Sequence, residues 1–312
     1  MSHEFDYIAW IRRKAAPHAR LAVGIGDDAG MVTFPPPGNC LVTVDLLMEG
    51  VDFLMPPATP QQIGRKALAV NLSDIAAMAG RPVACVTSVA LPRRGGMELG
   101  RGLFDGIQAL ADEYGVALAG GDTNTWNGPL VISITLLGEP TGTGPVRRNG
   151  ARPGDWIMAT GAFGGSLAGR HFSFPPRIAE ALALHQSATL HAMIDVSDGL
   201  AADLAHILEE SSVGGILEAE RIPISEAARG AMDGRTPLEH ALGDGEDFEL
   251  LFTASAEEGA RLLADPPFAT PLSRIGEIVA GRDCRLRRPD GNMEALPRSG
   301  WTHDFESPDR IP

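Results

Sequence analysis

The sequence predicts a two-domain α+β protein, and three observations lead there. The chain has 312 residues, more than one small core usually organises, so two domains are the default. Apolar runs of strand length occur among longer helical patterns, but not in the strict alternation of a doubly wound sheet. A Gly- and Pro-rich stretch, Pro140 to Asp155 (PTGTGPVRRNGARPGD), interrupts both patterns near the middle and marks the boundary. The expected domains are residues 1–140 and 150–312.

The elements follow in order. Glu4 to Lys14 reads as an amphipathic helix with Phe5, Ile8, Ala9 and Ile11 among its apolar positions. Gly24-Ile25-Gly26-Asp27-Asp28 is a loop, and Pro35 to Gly38 a firm turn. Cys40–Leu47 is a strand. Arg65–Ala79 is a helix of small and apolar residues with no Gly or Pro inside it. Val83–Leu91 is a strand with several β-branched residues. Met97–Tyr114 is a second amphipathic helix, weakened by internal glycines, and Val116–Ala119 and Leu130–Leu137 are strands. Beyond the boundary come strand Trp156–Thr160, a glycine-rich loop with a short helix (GAFGGSLAG) and helix Pro176–His185. Strand Ala192–Val196, helix Asp198–Glu210, strand Phe248–Thr253, a helix near Ala256–Leu263 and strands near Ile275–Val279 and Arg285–Arg287 complete it.

Composition excludes several function classes. A net charge of −14 argues against sequence-independent nucleic-acid binding and against a polybasic membrane patch. Phosphates remain accessible to an acidic protein if metal ions invert the local charge. Cys40, Cys85 and Cys284 have no metal-binding or disulfide spacing and read as reduced cytosolic thiols. The first twenty residues have no signal-peptide core, and no apolar run is long enough to span a bilayer. The expected location is the cytoplasm.

The distinctive feature is a series of aspartates in or beside apolar or Gly-rich runs: Asp27-Asp28, Asp45, Asp74, Asp122, Asp195 and Asp198. Lone carboxylates in such places are costly to desolvate. A shared set makes sense if it holds hard cations such as Mg²⁺, and through them a polyanion. Several have a plainer reading, although Asp195, next to Val196 on its strand, is harder to dismiss. Asp45 closes an apolar strand. Asn71, Ser73 and Asp74 put a polar trio in an apolar helix, which is either an internal network or a ligand face. Gly120-Gly121-Asp122-Thr123 is either a phosphate approach or a simple turn. Asp198 fits a helix N-cap, and the same helix start is an anion site. The acid run Gly243 to Glu249 is either a solvated loop or a cleft wall. Arg147-Arg148 is either a phosphate grip or surface charge. There is no GxxxxGK[ST], no HRD or DFG, no GxSxG and no HExxH, and Gly24-Ile25-Gly26 is too slight for a dinucleotide fingerprint.

Taken in order, GIGDDAG, TVDLLMEGVDF, KALAVNLSDIAAMAG, GGDTN, RRNGARPGD, MIDVSDGL and GDGEDFELLFT resemble the thiamine-monophosphate kinase family. That family lies within the aminoimidazole-ribonucleotide synthetase and selenophosphate synthetase superfamily. The resemblance runs from about Gly24 to the GWTHDF tail. It implies a homodimer whose N-terminal halves share a β-barrel, with ATP and several Mg²⁺ ions at the cleft between the halves. It implies Asp28, Thr43, Asp45, Asp74, Asp122, Asp195 and Asp198 as metal ligands. ATP contacts would be Gly121, Asp122, Arg148 and Ser197, and contacts to thiamine monophosphate would be Asp52, Glu246 and Trp301. The implied reaction is direct in-line phosphoryl transfer with no catalytic nucleophile on the protein. Such a transfer needs two polyanions brought together, and carboxylate-held cations serve that need. A cationic thiazolium suits Asp52, Glu246 and an indole face.

The chain departs from the family pattern at Val44, where Thr is usual, at Asp52, where His is frequent, at Gly165, where Asp is common, and between Gly169 and Arg177. The alternatives are another ATP-dependent superfamily enzyme, such as an aminoimidazole-ribonucleotide synthetase, and an inactive nucleotide- or metal-binding relative.

Overall fold

The computed structural model describes residues 10–11, 13–23, 31–36 and 38–301. The loop carrying Asp27 and Asp28, most of the expected N-terminal helix and the tail past Trp301 lie outside the described residues. Trp10, Ile11, Arg13 and Lys14 are helical. The described residues divide into two compact units, one of residues up to 75 with 81–140, the other of 76–80 with 141–301.

In the first unit, a short hairpin of β1 (Leu21–Val23) and β2 (Met31–Val32) precedes strand β3 (Leu41–Met48). Helix α1 spans Pro60–Ala77 and starts five residues before the expected Arg65. The reason is its first turn. Thr59 Oγ1 accepts the Gln62 N–H at 3.2 Å, and the Gln62 side chain accepts the Thr59 N–H at 2.9 Å. Pro60 sits where no N–H is needed. Strand β4 (Arg81–Pro92), helix α2 (Gly96–Tyr114), strand β5 (Ala117–Trp126) and strand β6 (Val131–Glu139) follow. The sheet order is β3-β6-β4-β5, antiparallel except for the β4–β5 pair that α2 connects. It is an open four-stranded sheet, not a closed barrel.

The glycines of α2 are not a weakness in it. A Cβ on Gly64 would lie 2.1 Å from the Leu103 carbonyl oxygen, and one on Gly106 2.1 Å from that of Gln61. The helices α1 and α2 therefore cross backbone to backbone, and only glycine permits that approach. In β3, Thr43, Asp45 and Leu47 share one face. Val42, Val44 and Leu46 share the other and are 63%, 61% and 56% exposed.

The second unit is built on a seven-stranded sheet in the order β13-β12-β9-β11-β7-β10-β8. Its strands are β7 (Trp156–Thr160), β8 (Leu190–Asp195), β9 (Gly214–Glu218), β10 (Leu250–Ala254), β11 (Leu272–Val279), β12 (Cys284–Arg287) and β13 (Met293–Ala295). Helices α3 (Ile178–Ser187), α4 (Leu200–Ser211), α5 (Glu226–Gly230), α6 (Pro237–Gly243) and α7 (Ala256–Ala264) connect them. The apolar stripe of α4 (Leu200, Leu204, Ile207, Leu208) packs with Ile157, Ile194 and Leu251 of the sheet into one buried cluster. That packing fixes the start of α4 at the end of β8.

Candidate active site

In the first unit Thr43 and Asp74 meet where β3 passes α1. The Thr43 hydroxyl donates to Asp74 Oδ2, and Asp45 lies on the same face of β3. Both β3 side chains face the helix because strand side chains alternate. At the other end of the pass, the fully buried Lys66 donates from Nζ to the Asp52 carbonyl oxygen at 2.7 Å. The Asp52 carboxylate accepts the Met48 N–H at 2.7 Å. Thus Asp52 closes the turn after β3, and Lys66 anchors that turn to α1. Lys66 was not singled out from the sequence. A lysine inside an otherwise apolar helix was the available signal, since a buried ammonium demands partners.

The GGDT segment, expected as a turn or phosphate approach after a strand, is instead the middle of β5. A Cβ on Gly121 would lie 2.1 Å from the Thr87 carbonyl oxygen of β4, so glycine there serves strand packing. The register puts Asp122 in a row with Ser88, Ser133 and Leu46, while Asp45 shares the next row with Ile134, Thr87 and Gly121. Asp122 is exposed and belongs to the face of the sheet opposite Asp45. The structure therefore brings Thr43, Asp45 and Asp74 together but does not bring Asp122 to their face.

The second unit gathers its predicted residues around the turn from β8 into α4. Asp195 ends β8 and is 3% exposed. Val196 N–H donates to the Glu249 carbonyl oxygen at 2.8 Å, and Val196 O accepts Phe248 N–H at 2.7 Å. The Glu246 N–H reaches the Ser197 carbonyl oxygen at 2.7 Å, and the Trp301 N–H reaches that of Asp198 at 2.9 Å. Ser197, Asp198, Glu246 and Trp301 are thus placed together by backbone contacts. Glu246 and Phe248 hold left-handed backbone, with φ of 56° and 50°, a conformation uncommon for such residues and found where surrounding structure imposes it.

The N-cap reading of Asp198 is also corrected. The capping position is Gly199, with φ of 125° and no side-chain cap. The carboxylate that covers this turn is Asp203, whose Oδ2 accepts the N–H groups of Asp198 and Gly199 at 3.0 and 3.1 Å. Burial, reinforced by the charges of Asp195 and Asp198, pushes Asp203 up to about 8. Donor atoms of Asp198, Asp203 and His206 lie within 4.8 Å of one another. Asp203 and His206 lie within the expected helix, where helical spacing from Asp198 alone gave no reason to prefer them.

The acid run before β10 is neither a solvated loop nor a cleft wall for Asp247 and Glu249, each 1% exposed. Arg177 clasps Glu249 through two 2.7 Å bonds, Thr160 adds another at 2.7 Å, and Arg170 reaches it as well. Asp247 accepts the Ser166 hydroxyl at 2.5 Å and the Gly164 N–H at 2.9 Å. Burial nevertheless pushes Asp247 up to about 7. Asp244 is held by Arg235 and by the Gly165 N–H. These acids lock the loop so that Glu246 is presented from it. Arg148 is exposed and its carbonyl oxygen accepts the Ser211 hydroxyl at 3.0 Å.

Two departures gain a physical account. Val44 is on the exposed face, so a hydroxyl there would not point toward Thr43 and Asp45. Gly165 has φ of 73°, and a Cβ would lie 2.7 Å from the Ala228 nitrogen.

Residues 26–139 match the family model for the N-terminal domain of AIR synthase related proteins, and residues 152–288 match that for the C-terminal domain. A thiamine-monophosphate kinase of Rhodopirellula baltica is 41% identical over 309 residues, covering 96% of this chain and 97% of the relative. The chain belongs to the thiamine-monophosphate kinase family. Accordingly it is an enzyme. The crystal structure of the family member from Stenotrophomonas maltophilia superposes with a TM-score of 0.81 at 35% identity, covering 93% of this chain and 97% of that one. A structure of AaThiL complexed with AMPPCP and TMP superposes with a TM-score of 0.76 at 29% identity, covering 96% and 97%. The family's mixed α+β fold with two sheets is the fold described above.

Proposed function

We propose that the chain phosphorylates thiamine monophosphate to thiamine diphosphate, taking the terminal phosphoryl group of ATP by direct in-line transfer. The observation that carries this reading is the crowding of acids at one helix start, where buried Asp195 ends β8 and donor atoms of Asp198, Asp203 and His206 lie within 4.8 Å of one another. Like charges are gathered this way where cations offset them. The donor sets are all-oxygen in the first unit (Thr43, Asp45, Asp74) and mainly oxygen in the second, which fits a hard divalent ion. Mg²⁺ would be held in the first unit by Thr43, Asp45 and Asp74, with Asp28 from the loop outside the described residues, and in the second by Asp195 and Asp198; Asp122, on the opposite face of the sheet, is left out of that set. Bound there, it supplies charge neutralisation between two phosphate-bearing reactants.

The chain's own residues do the rest. The Ser197–Asp198 turn at the start of α4 offers backbone and hydroxyl contacts to ATP, with Gly121, Asp122 and Arg148 as further contacts. Glu246 and the exposed indole of Trp301 receive the cationic thiamine rings, together with Asp52. No general base is required, because the acceptor phosphate is already anionic near neutral pH. A coupled assay with Mg·ATP and thiamine monophosphate tests the reading. Turnover only with a purine precursor, or nucleotide binding with no product, would refute it.

The active species is proposed to be a cytoplasmic homodimer. Val42, Val44, Leu46 and Val86 make an exposed apolar face on the sheet of the first unit, the kind of patch that another surface covers. A second copy of the same sheet would cover it. A Val44→Glu chain should sediment as a monomer; an unchanged dimer would exclude this face. No helix of the described residues is long and apolar enough to cross a membrane.

A further inference from the structure

The polar residues of α1 are not all accounted for by the ligand set. Asn71 is fully buried. Its Nδ2 donates to the Ala67 carbonyl oxygen at 3.0 Å, which fixes the orientation of the amide. That leaves Oδ1 buried with no hydrogen-bond partner among the described residues. A buried amide oxygen without a partner is rare in native proteins and calls for an explanation, such as a water or an ion. Here Ala67 accounts for one end of the amide only.

The position of that oxygen follows from how β3 and α1 pass each other. Thr43 meets Asp74, and the Asp52 carbonyl meets Lys66. Rising residue numbers on the strand therefore face falling numbers on the helix. Moving from Asp74 to Asn71 descends the helix by roughly 4.5 Å. Moving from Thr43 to Asp45 advances the strand by roughly 6.6 Å, in the same direction. Asn71 and Asp74, three apart, share the face of α1 turned to β3. Asn71 is thus set at the level of Asp45, and its unsatisfied acceptor belongs to the group formed by Thr43, Asp45 and Asp74.

We propose that Asn71 is a positioning residue for the divalent cation, its Oδ1 accepting a hydrogen bond from a water carried by the ion that Asp45 and Asp74 hold. This rests on the metal assignment under Proposed function. Mg²⁺ keeps several of its waters when a protein binds it, and a fixed acceptor in the surrounding shell orients them. An amide serves where a further carboxylate would add repulsion to an already acidic group.

The test uses the full chain and Mn²⁺ alone, read by electron paramagnetic resonance, with thermal unfolding in the absence of metal. Asn71→Leu removes the acceptor and keeps the volume. Its metal-free unfolding midpoint should equal or exceed that of the wild type, because an unmet buried acceptor has been removed. Its Mn²⁺ affinity should fall about tenfold or more. A purely structural asparagine predicts the reverse, a lower midpoint with unchanged affinity, and that result would overturn the proposal. Asn71→Asp keeps an oxygen and should bind Mn²⁺ at least as tightly as wild type. Weaker binding would overturn the proposal even if the leucine variant does not fold. Wild-type protein that binds no Mn²⁺ would remove the metal assignment itself, and this inference with it.

Discussion

The two units hold their acids by different means. In the first, Thr43, Asp45 and Asp74 sit mid-element on a strand and a helix, and side chains meet across the space between them. In the second, Ser197, Asp198 and Glu246 sit in turns, and backbone groups clasp one another while Asp203 covers the N–H groups from within α4. Regular elements carry a group wherever the side chain happens to point. Turns need a dedicated set of partners to hold them still. The first arrangement should therefore be sensitive to the chemistry of each side chain, and the second to the shape of its supports.

The largest effect tests the first half of that contrast. Asp45→Asn keeps the shape and removes the charge. It should lower turnover about a thousandfold, equivalent to about 4 kcal/mol of lost transition-state stabilisation, with an unchanged unfolding curve. Asp122→Asn sharpens the test, because Asp122 belongs to the other face of the sheet. A much smaller loss of kcat is expected there; a loss as large as that of Asp45→Asn would return Asp122 to the ligand set, and near-normal kcat in Asp45→Asn would remove Asp45 from it.

A smaller effect tests the second half. Asp203→Ala strips two N–H groups of their buried acceptor and should cost about 2 kcal/mol of stability, read in urea unfolding. It should raise KM for ATP more than it lowers kcat. Asp203→Asn keeps an acceptor and should lie within about 0.5 kcal/mol of wild type. If asparagine is as damaging as alanine, charge and not shape is what Asp203 provides.

How much of this was legible beforehand divides along the same line. Strands and helices around Asp45, Asp74 and Asp195 follow from runs of apolar residues, because periodic burial leaves a periodic trace. The capping box at Thr59, hidden by a proline and a glycine near the helix start, left α1 five residues short. Strand β9, with Gly214 and Gly215 at its head, and the short helices α5 and α6 were not legible, since few of their residues alternate cleanly. The roles of Asp203, Lys66, Asp247 and Glu249 depend on partners far away in sequence, such as Arg177 with Glu249. No local pattern records those. The chemistry of the oxygen-rich set was readable from composition and position, but not the face on which Asp122 lies, which a strand register decides.

The smallest effect concerns pH and sharpens the picture of the locked loop. Asp247 has its folded-state value near 7, well above its ordinary value of 3.8. Between those values the folded chain keeps a proton that the unfolded chain releases. Its contribution to stability is complete below about pH 4 and is lost as pH rises through about 7, by at most about 1.4 kcal/mol per pH unit. Asp247→Asn should flatten that part of the stability profile measured by urea unfolding. An unchanged slope would assign the pH dependence to other groups.

The crossing at Gly64 and Gly106 has a consequence well away from the helices themselves. Because the two backbones already touch, even one added methyl group would wedge α1 outward as a rigid rod, and its cargo of Lys66, Asn71 and Asp74 would travel with it. Alanine at either glycine would then register as a crippled catalyst in a chain that still folds. Two positions with no chemistry of their own set the tolerance to which the reacting groups are machined.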